Sequence, residues 1–186
     1  MTVFRSFTLL SANFMLDGMQ NTTPTSTAKT AKKVLKTIRR RSFCTLATTS
    51  PAGHAHSAGV AYAFANNVLW VHTLRNSHKA KNMDSTGRIG VCVPFRRLPV
   101  GPPFTIHFQA TTDLVPMDDP AVLALVADGS LDDITAHGEL AMPDGCFVRI
   151  RPLGTVHSFG PGAKITDLIR DPLGSGAHSF DIAEFV

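Results

Sequence analysis

Val68-Leu-Trp-Val-His-Thr-Leu-Arg-Asn-Ser-His-Lys-Ala-Lys-Asn82 joins a short apolar run to a polar, basic turn and the first turns of a helix pattern. The branched and aromatic residues over 68–73 predict a buried strand, and apolar residues at helical spacing predict a helix over 77–85. Ser77 is placed to cap that helix. Because free backbone N–H groups and the positive dipole end meet at a helix start, we expect an anion site here.

Three side chains can complete this anion site, namely the hydroxyls of Thr73 and Ser77 and the ammonium of Lys79. Such donors bind phosphate oxygens together with the backbone N–H groups of a helix start. Many strand-to-helix turns carry Ser and Lys without any ligand, so an ordinary capped turn is the alternative interpretation. The flanking sequence decides between the two.

The composition predicts one soluble globular domain. The chain has 186 residues, of which 44% are hydrophobic, enough for a sizeable core. Cys44, Cys92 and Cys146 are odd in number, widely spaced and set in apolar runs. This usage favours buried free thiols in a reducing compartment over disulfides or a zinc site, and we expect a cytoplasmic protein.

The positive charge is concentrated in one segment, where seven of the 18 basic residues lie without an acidic one: Lys29, Lys32, Lys33, Lys36, Arg39, Arg40 and Arg41. An apolar stripe of Ala28, Ala31, Leu35 and Ile38 predicts that this segment is a helix. Its bases form either a solvated helix face, a lid over an anionic ligand such as one with a polyanionic tail, or a nucleic-acid patch. One Trp, one Tyr and the lack of a recognisable nucleic-acid motif argue against the last.

Six strands are predicted from alternating or branched residues between turn signals: 43–49, 56–64, 68–73, 88–95, 104–115 and 146–160. The first three form an antiparallel meander with a tight turn at Asn66-Asn67. Helices are predicted over 77–85, 119–127 and 165–170. Residues 1–26 are expected to be a loosely ordered leader, and 27–186 a mainly β domain, a small antiparallel barrel with flanking helices.

These residues, in this order, resemble the pyridoxamine 5'-phosphate oxidase-like, FMN-binding split-barrel family over residues 34–156: Phe43-Cys-Thr-Leu-Ala-Thr, Gly53, Ser57-Ala-Gly-Val, Leu69-Trp-Val, Thr73-x3-Ser77-x-Lys79-Ala80-x-Asn82 and Arg88-Ile-Gly-Val-Cys-Val. The resemblance implies a six-stranded antiparallel split β-barrel. It also implies a homodimer that holds a flavin, or the deazaflavin F420, in each of two clefts between subunits.

The chain departs from the pyridoxamine oxidases at two positions. In those enzymes the strand before the phosphate motif carries an Arg and, five positions on, a Lys, and both complete the phosphate cage. Aligned through Thr73, these positions hold Ser57 and Tyr62. The resemblance is therefore closer to the flavin/deazaflavin-dependent oxidoreductase branch, whose members bind FMN, F420 or occasionally haem.

For this branch the resemblance implies hydride transfer between a bound FMN, or alternatively F420, and a small organic substrate. No catalytic residue can be assigned. The cofactor-binding candidates are the phosphate segment, the backbone of the second strand and two histidines that would line the ring cleft: Thr73, Ser77, Lys79, Ala80, Lys81, Asn82, Ser57, Ala58, Gly59, Val60, His56 and His72.

Two other functions remain open. A haem-binding split barrel needs an axial histidine, and the eight histidines do not single one out. A non-catalytic cofactor carrier needs only the binding site. No metal site is expected, because Asp133 stands where the calcium-loop-like pattern over 128–139 would need glycine. No membrane or nucleic-acid partner is expected.

Overall fold

The computed structural model describes residues 24–96, 104–161, 163–171 and 176–182. It contains four helices and eight strands within these ranges: α1 Pro24–Arg40, β1 Phe43–Thr49, β2 Ala55–Ala61, β3 Ala63–Ala65, β4 Val68–Leu74, α2 His78–Thr86, β5 Arg88–Phe95, β6 Phe104–Val115, α3 Pro120–Ala127, β7 Gly145–Phe159, α4 Ile165–Arg170 and β8 Ala177–Asp181. Most of the predicted leader, residues 1–23, lies outside the described residues. α1 begins at Pro24, within the end of that predicted leader.

The strands form one antiparallel sheet in the order β2-β1-β5-β6-β7-β4-β3, with β8 paired to the end of β7. The two outermost strands, β2 and β3, are consecutive in the chain, so the sheet curls back on itself as a split barrel. The mainly β architecture and the antiparallel barrel predicted from the sequence are confirmed.

The predicted number of six strands is wrong, because the described residues form eight. The pattern over 56–64 is two strands that separate at Tyr62. The N–H of Tyr62 still donates to the carbonyl of Ser42 at 2.8 Å, in register with β1, and the chain from Ala63 onward pairs with β4 instead. Ala177–Asp181, the eighth strand, is short and polar and lacks a local strand signal. Its pairing with β7 is a tertiary contact that a local pattern does not contain.

Local turn chemistry determines how two of the strands are joined. Asn66 and Asn67 both have positive φ, 53° and 62°, which is the conformation of a two-residue hairpin turn and confirms the predicted tight turn. Gly154 has φ 65° where the β6–β7 register shifts between Phe108 and Gln109. The resulting bulge lets the long strand β7 pair with β4 near its start and with β8 near its end.

Side chains that alternate along β1, β5, β6 and β7 fill the barrel interior, where α1 and α2 also pack. Ala31, Val34 and Ile38 supply the buried stripe of α1. A second apolar cluster, which we call the α3 cluster, lies on the outer side of the sheet and includes Trp70, Val122, Leu125, Leu131 and Phe147.

The α3 cluster covers only part of the outer side of the sheet. The remaining outer residues of β1, β5, β6 and β7 carry no helix among the described residues, and we call this surface the open face: Thr45, Ala47, Gly90, Cys92, His107 and His157. No helix in the described ranges is long and apolar enough to cross a membrane.

Candidate functional site

The start of α2 forms as the sequence predicts. Ser77 is the N-cap with extended backbone angles, and its Oγ accepts a hydrogen bond from the N–H of Ala80 at 3.3 Å. The Thr73 hydroxyl at the end of β4 lies 3.3 Å from the same Oγ. Thr73 and Ala80 are buried, so two hydroxyls and the helix start meet at one partly sheltered point.

Two basic side chains lie near this point. Burial raises the pKa of Cys146, the β7 partner of Thr73, as does the negative charge of Asp84, whereas the positive charges of Arg75 and Lys79 lower it. Both cations therefore act electrostatically on the junction of β4 and β7. Lys79 is half-buried, whereas Lys81 is exposed. Sequence reasoning missed Arg75, which could have been found from its position two residues after Thr73.

Asn82 faces the barrel interior. Its amide Nδ2 donates to Thr48 Oγ1 at 3.0 Å, and that hydroxyl donates to the backbone carbonyl of His56 at 3.3 Å. Asn82 and Thr48 are both buried. These bonds connect α2 to β1 and β2, so Asn82 holds the helix start in place.

His56 lies next to the start of α2, because its ring centroid is 5.9 Å from that of His78, the first helical residue. His56 Nδ1 is buried and has no hydrogen-bond partner in the described part of the chain. An unpaired buried ring nitrogen is costly unless a ligand or water satisfies it. Together with the hydroxyls of Thr73 and Ser77, it is a candidate ligand contact.

The candidate backbone segment of β2, residues 57–60, lies on an edge strand. In the described sheet β2 pairs only with β1, so alternate N–H and C=O groups of β2 face an unpaired edge. Ser57 and Gly59 are exposed, Ala58 is half-buried and Val60 is buried. The Phe43 ring lies over Gly59, and a side-chain Cβ added at residue 59 would lie only 2.8 Å from Phe43 Cζ.

His72 lies apart from the other candidates. It is on the face of β4 opposite Thr73, and its ring packs edge-on against Phe147 with centroids 5.4 Å apart. Burial lowers the pKa of His72, although Glu139 acts in the opposite direction. Within one chain, the structure therefore places His72 beside the α3 cluster and away from the start of α2.

Tyr62 is a core residue. Its side chain is fully buried, and its hydroxyl donates to the backbone carbonyl of Ile38 at 2.7 Å, which joins the end of β2 to α1. Burial raises the pKa of Tyr62 far above its usual range. A neutral, buried phenol cannot replace the cation that the pyridoxamine oxidases carry at the aligned position.

A second feature is a cleft of about 600 Å³ on the open face, between β1, β5, β6 and the bulge of β7. The rings of His107 and His157 stack along it with centroids 5.4 Å apart, and His157 Nδ1 is 2.8 Å from the Ser179 hydroxyl. Burial and the neighbouring His157 lower the pKa of His107. Sequence reasoning did not single out this pair, because β6 and β7 bring the two rings together only in the folded sheet.

The family model described as pyridoxamine 5'-phosphate oxidase matches residues 30–152, about two thirds of the chain. The chain belongs to this family. The match spans the start of α2, β2 and most of the open face, whereas His157 lies just beyond its end. Comparison with curated proteins finds no significant match.

Solved structures with this fold include proteins of different described functions. The haem storage protein HutZ from Vibrio cholerae is 14% identical, covers 68% of this chain and 92% of its own, and has a TM-score of 0.59. A haem-binding protein from Mycobacterium smegmatis is 13% identical over 82% of this chain and 57% of its own, with a TM-score of 0.62. An FAD-binding protein from Mesorhizobium loti is 17% identical over 69% and 90%, with a TM-score of 0.55. At these identities the likeness shows the shared fold.

Proposed function

We propose that the protein binds FMN, or alternatively the deazaflavin F420, with the cofactor phosphate at the start of α2, and acts as an oxidoreductase on a small organic substrate. The observation that carries the proposal is the pair of hydroxyls, Thr73 and Ser77, 3.3 Å apart in front of a helix N-terminus. Lys79 and Arg75 add positive charge beside them. Family membership and the FAD-binding structural neighbour support a flavin-type ligand.

The residues of the chain suit such a cofactor. The hydroxyls and the first N–H groups of α2 would hold the phosphate, and Lys79 would neutralise part of its charge. The unpaired edge of β2 and His56 Nδ1 would orient the ring through hydrogen bonds. The cofactor supplies the chemistry, which is transfer of a hydride, two electrons with one proton, between its ring and the substrate.

Pyridoxamine phosphate is not the proposed substrate. In the pyridoxamine oxidases an Arg and a Lys on the second strand complete the phosphate cage, and this chain has exposed Ser57 and fully buried Tyr62 at the aligned positions. Neither side chain supplies a positive charge. Oxidation of pyridoxamine phosphate by the flavin-loaded protein is therefore expected to be negligible.

Haem binding is the second candidate, favoured by the open-face cleft and its stacked histidines. Axial coordination needs a neutral imidazole, and burial together with His157 lowers the pKa of His107. Two of the structural neighbours are described as haem proteins. A haem site on the open face would use His107 or His157 and would not use Lys79.

The test begins with separate titrations of FMN, F420 and hemin into purified protein, followed by absorption spectroscopy. Lys79→Ala removes one charge-assisted phosphate contact, worth about 1.5–3 kcal/mol, so FMN or F420 should bind about 10- to 150-fold more weakly. Lys81→Ala is the matched control on the same helix turn and should lose less affinity, because Lys81 is exposed. Catalytic reduction and reoxidation of the bound cofactor would distinguish an enzyme from a carrier.

Equal affinity of Lys79→Ala and the parent for both cofactors would contradict the phosphate site. Binding of hemin with a Soret band that is lost in His107→Ala, without flavin or F420 binding, would favour the haem alternative.

A further inference from the structure

A basic cleft of about 530 Å³ lies between α1 and the end of β5, and the proposed cofactor site does not use it. Among the described residues, five basic side chains and no carboxylate line it: Lys33, Lys36, Arg40, Arg41 and Arg96. The Thr37 hydroxyl is also on its wall. A volume of this size is ordinary for a small-molecule site, which typically has about 300–1,000 Å³.

The fold holds these bases around the cleft. Lys33, Lys36 and Arg40 follow one another at spacings of three and four residues, so they share one side of α1. The opposite side of the helix is buried through Ala31 and Val34, and this burial fixes which side faces outward. The arrangement is therefore set by helix packing and does not depend on a flexible tail.

Arg41 is positioned by two contacts. Its guanidinium Nη2 donates to the carbonyl of Arg96 at 3.2 Å, and its Cζ lies 5.8 Å from the centre of the Phe95 ring. A guanidinium held in this way loses little freedom when it binds a further anion. The cleft thus combines one preorganised guanidinium with flexible cations on α1.

Among the described residues, no ion pair compensates the charge of Lys33, Lys36 or Arg40 on the α1 side of the cleft. Ion pairs lie elsewhere, for example between Asp113 and both Arg149 and Arg151, and between Glu139 and His137. Because like charges repel one another, a bound polyanion would relieve an unfavourable interaction here.

The basic cleft is separate from the start of α2 within one chain. Thr73 pairs with Cys146 at the start of β7, whereas Pro94, the neighbour of Phe95, is aligned through Thr105 of β6 with Phe159 at the end of β7. The two places lie at opposite ends of the longest strand. One small anion cannot contact both within a single subunit, so each site requires its own ligand.

We propose that the basic cleft is a second ligand site, which binds an oligophosphate chain. Guanidinium, ammonium and hydroxyl donors are the groups that bind phosphate oxygens, and several clustered cations match a chain with several negative charges. The Phe95 ring is already covered by Arg41 and by the Phe104 ring, 5.6 Å away. None of the described lining residues therefore offers an exposed ring to stack a nucleobase, and recognition is through the phosphates.

Calorimetric titration at constant ionic strength tests the site with orthophosphate, tripolyphosphate, ATP and GTP as probes. Tripolyphosphate should bind more tightly than orthophosphate. If the ligand is a free phosphate chain, both nucleotides bind less tightly than tripolyphosphate. If it is a nucleotide held by its phosphates, ATP and GTP match or exceed tripolyphosphate and differ little from each other.

The matched variants are Lys36→Gln/Arg40→Gln, which removes two charges from the cleft, and Lys29→Gln/Lys32→Gln, which removes two from exposed positions of α1 outside it. The first pair should weaken tripolyphosphate binding about 10- to 100-fold, and the second pair less than about 3-fold. Lys36→Gln alone provides a milder change if the double variant unfolds. Circular dichroism and the thermal midpoint check the fold of each.

Equal weakening by the two pairs would show attraction by net charge only and would overturn the proposal, as would undetectable tripolyphosphate binding by the parent. Tighter binding of a single-stranded RNA oligomer, equally affected by both pairs, would point to a nucleic-acid surface instead. Lys79→Ala should leave tripolyphosphate binding unchanged. The result of the tripolyphosphate titration therefore does not depend on whether the cofactor proposal is right.

Discussion

Buried polar side chains determine how the helices sit on the barrel. The Tyr62 hydroxyl bonds the carbonyl of Ile38 in α1, and the Asn82 amide of α2 bonds Thr48 in β1. A buried polar group without a partner costs about 1–3 kcal/mol, so each of these bonds favours one helix position over its alternatives. His56 Nδ1 and His72 Nε2 make no such bond, because both atoms are buried without a hydrogen-bond partner among the described residues.

Three partly desolvated histidines predict how stability depends on pH. Burial lowers the pKa of His72, and the pKa of His107 and His178 is lowered in the same direction. The folded protein then binds fewer protons than the unfolded chain, in which the pKa of histidine is about 6.5. Unfolding takes up protons below that value, so the free energy of unfolding should fall as the pH falls through about 6.5.

Urea unfolding at about pH 7.5 and about pH 5.5 measures this dependence. His72→Gln should reduce the difference between the two free energies, because residue 72 then no longer titrates. The control is His54→Gln at an exposed position, which should leave the difference as it is in the parent. An unchanged difference in His72→Gln would show that His72 does not contribute.

At the scale of single elements, α2 joins the two halves of the candidate site. Its N-cap bonds the end of β4, its Asn82 bonds β1, and Gly87 ends it with φ 62° before β5 begins. A short helix held at both ends by tertiary contacts has little freedom to move. Its first N–H groups are therefore held in fixed positions, as the proposed phosphate site requires.

Two substitutions of Ser77 separate a capped turn from an anion site. Ser77→Ala removes the cap and should lower the free energy of unfolding by about 1 kcal/mol. Ser77→Asp keeps a good cap and should retain most of the stability, but its negative charge repels a phosphate. We expect Ser77→Asp to lose cofactor binding more completely than Ser77→Ala, as measured by titration.

If Ser77→Asp bound FMN and F420 as tightly as the parent, the start of α2 would be an ordinary capped turn. Urea unfolding of both variants serves as the stability control for that comparison.

At the scale of the whole molecule, the open face is a surface that the described residues leave uncovered. Ala47 is exposed, and its outward neighbours Thr45, Gly90 and Cys92 are small and half-buried. Small side chains allow a second sheet to approach closely, and burying the face removes apolar area from water. A homodimer packed through this face would also enclose the 600 Å³ cleft between subunits.

We therefore expect a homodimer at micromolar concentration, measured by size exclusion with light scattering. Ala47→Arg places a charge in the proposed interface and should shift the protein towards monomer. Leu140→Arg, at another exposed apolar position outside the open face, is the control and should stay dimeric. A parent protein that is monomeric would contradict the prediction.

Local patterns predicted much of this architecture. The bounds of β5, β6 and α4 agree with the predicted ranges, and α2 begins after Ser77 as expected, because each has a strong period or cap of its own. The predicted phosphate segment also comes together at the end of β4. The break at Tyr62, the strand β8 and the His107–His157 pair were not predictable, because each depends on contacts between residues distant in the chain.

The sequence by itself determined most of the helices and strands, the family resemblance and the hydroxyls at the start of α2, since spacing, turn chemistry and capping act over a few residues. Only the tertiary structure decided which face each side chain occupies. It placed His72 beside the α3 cluster, Tyr62 in the core and the α1 bases around a cleft far from Thr73. Strand curl and helix packing set these positions, and both depend on burial of apolar area across the whole chain.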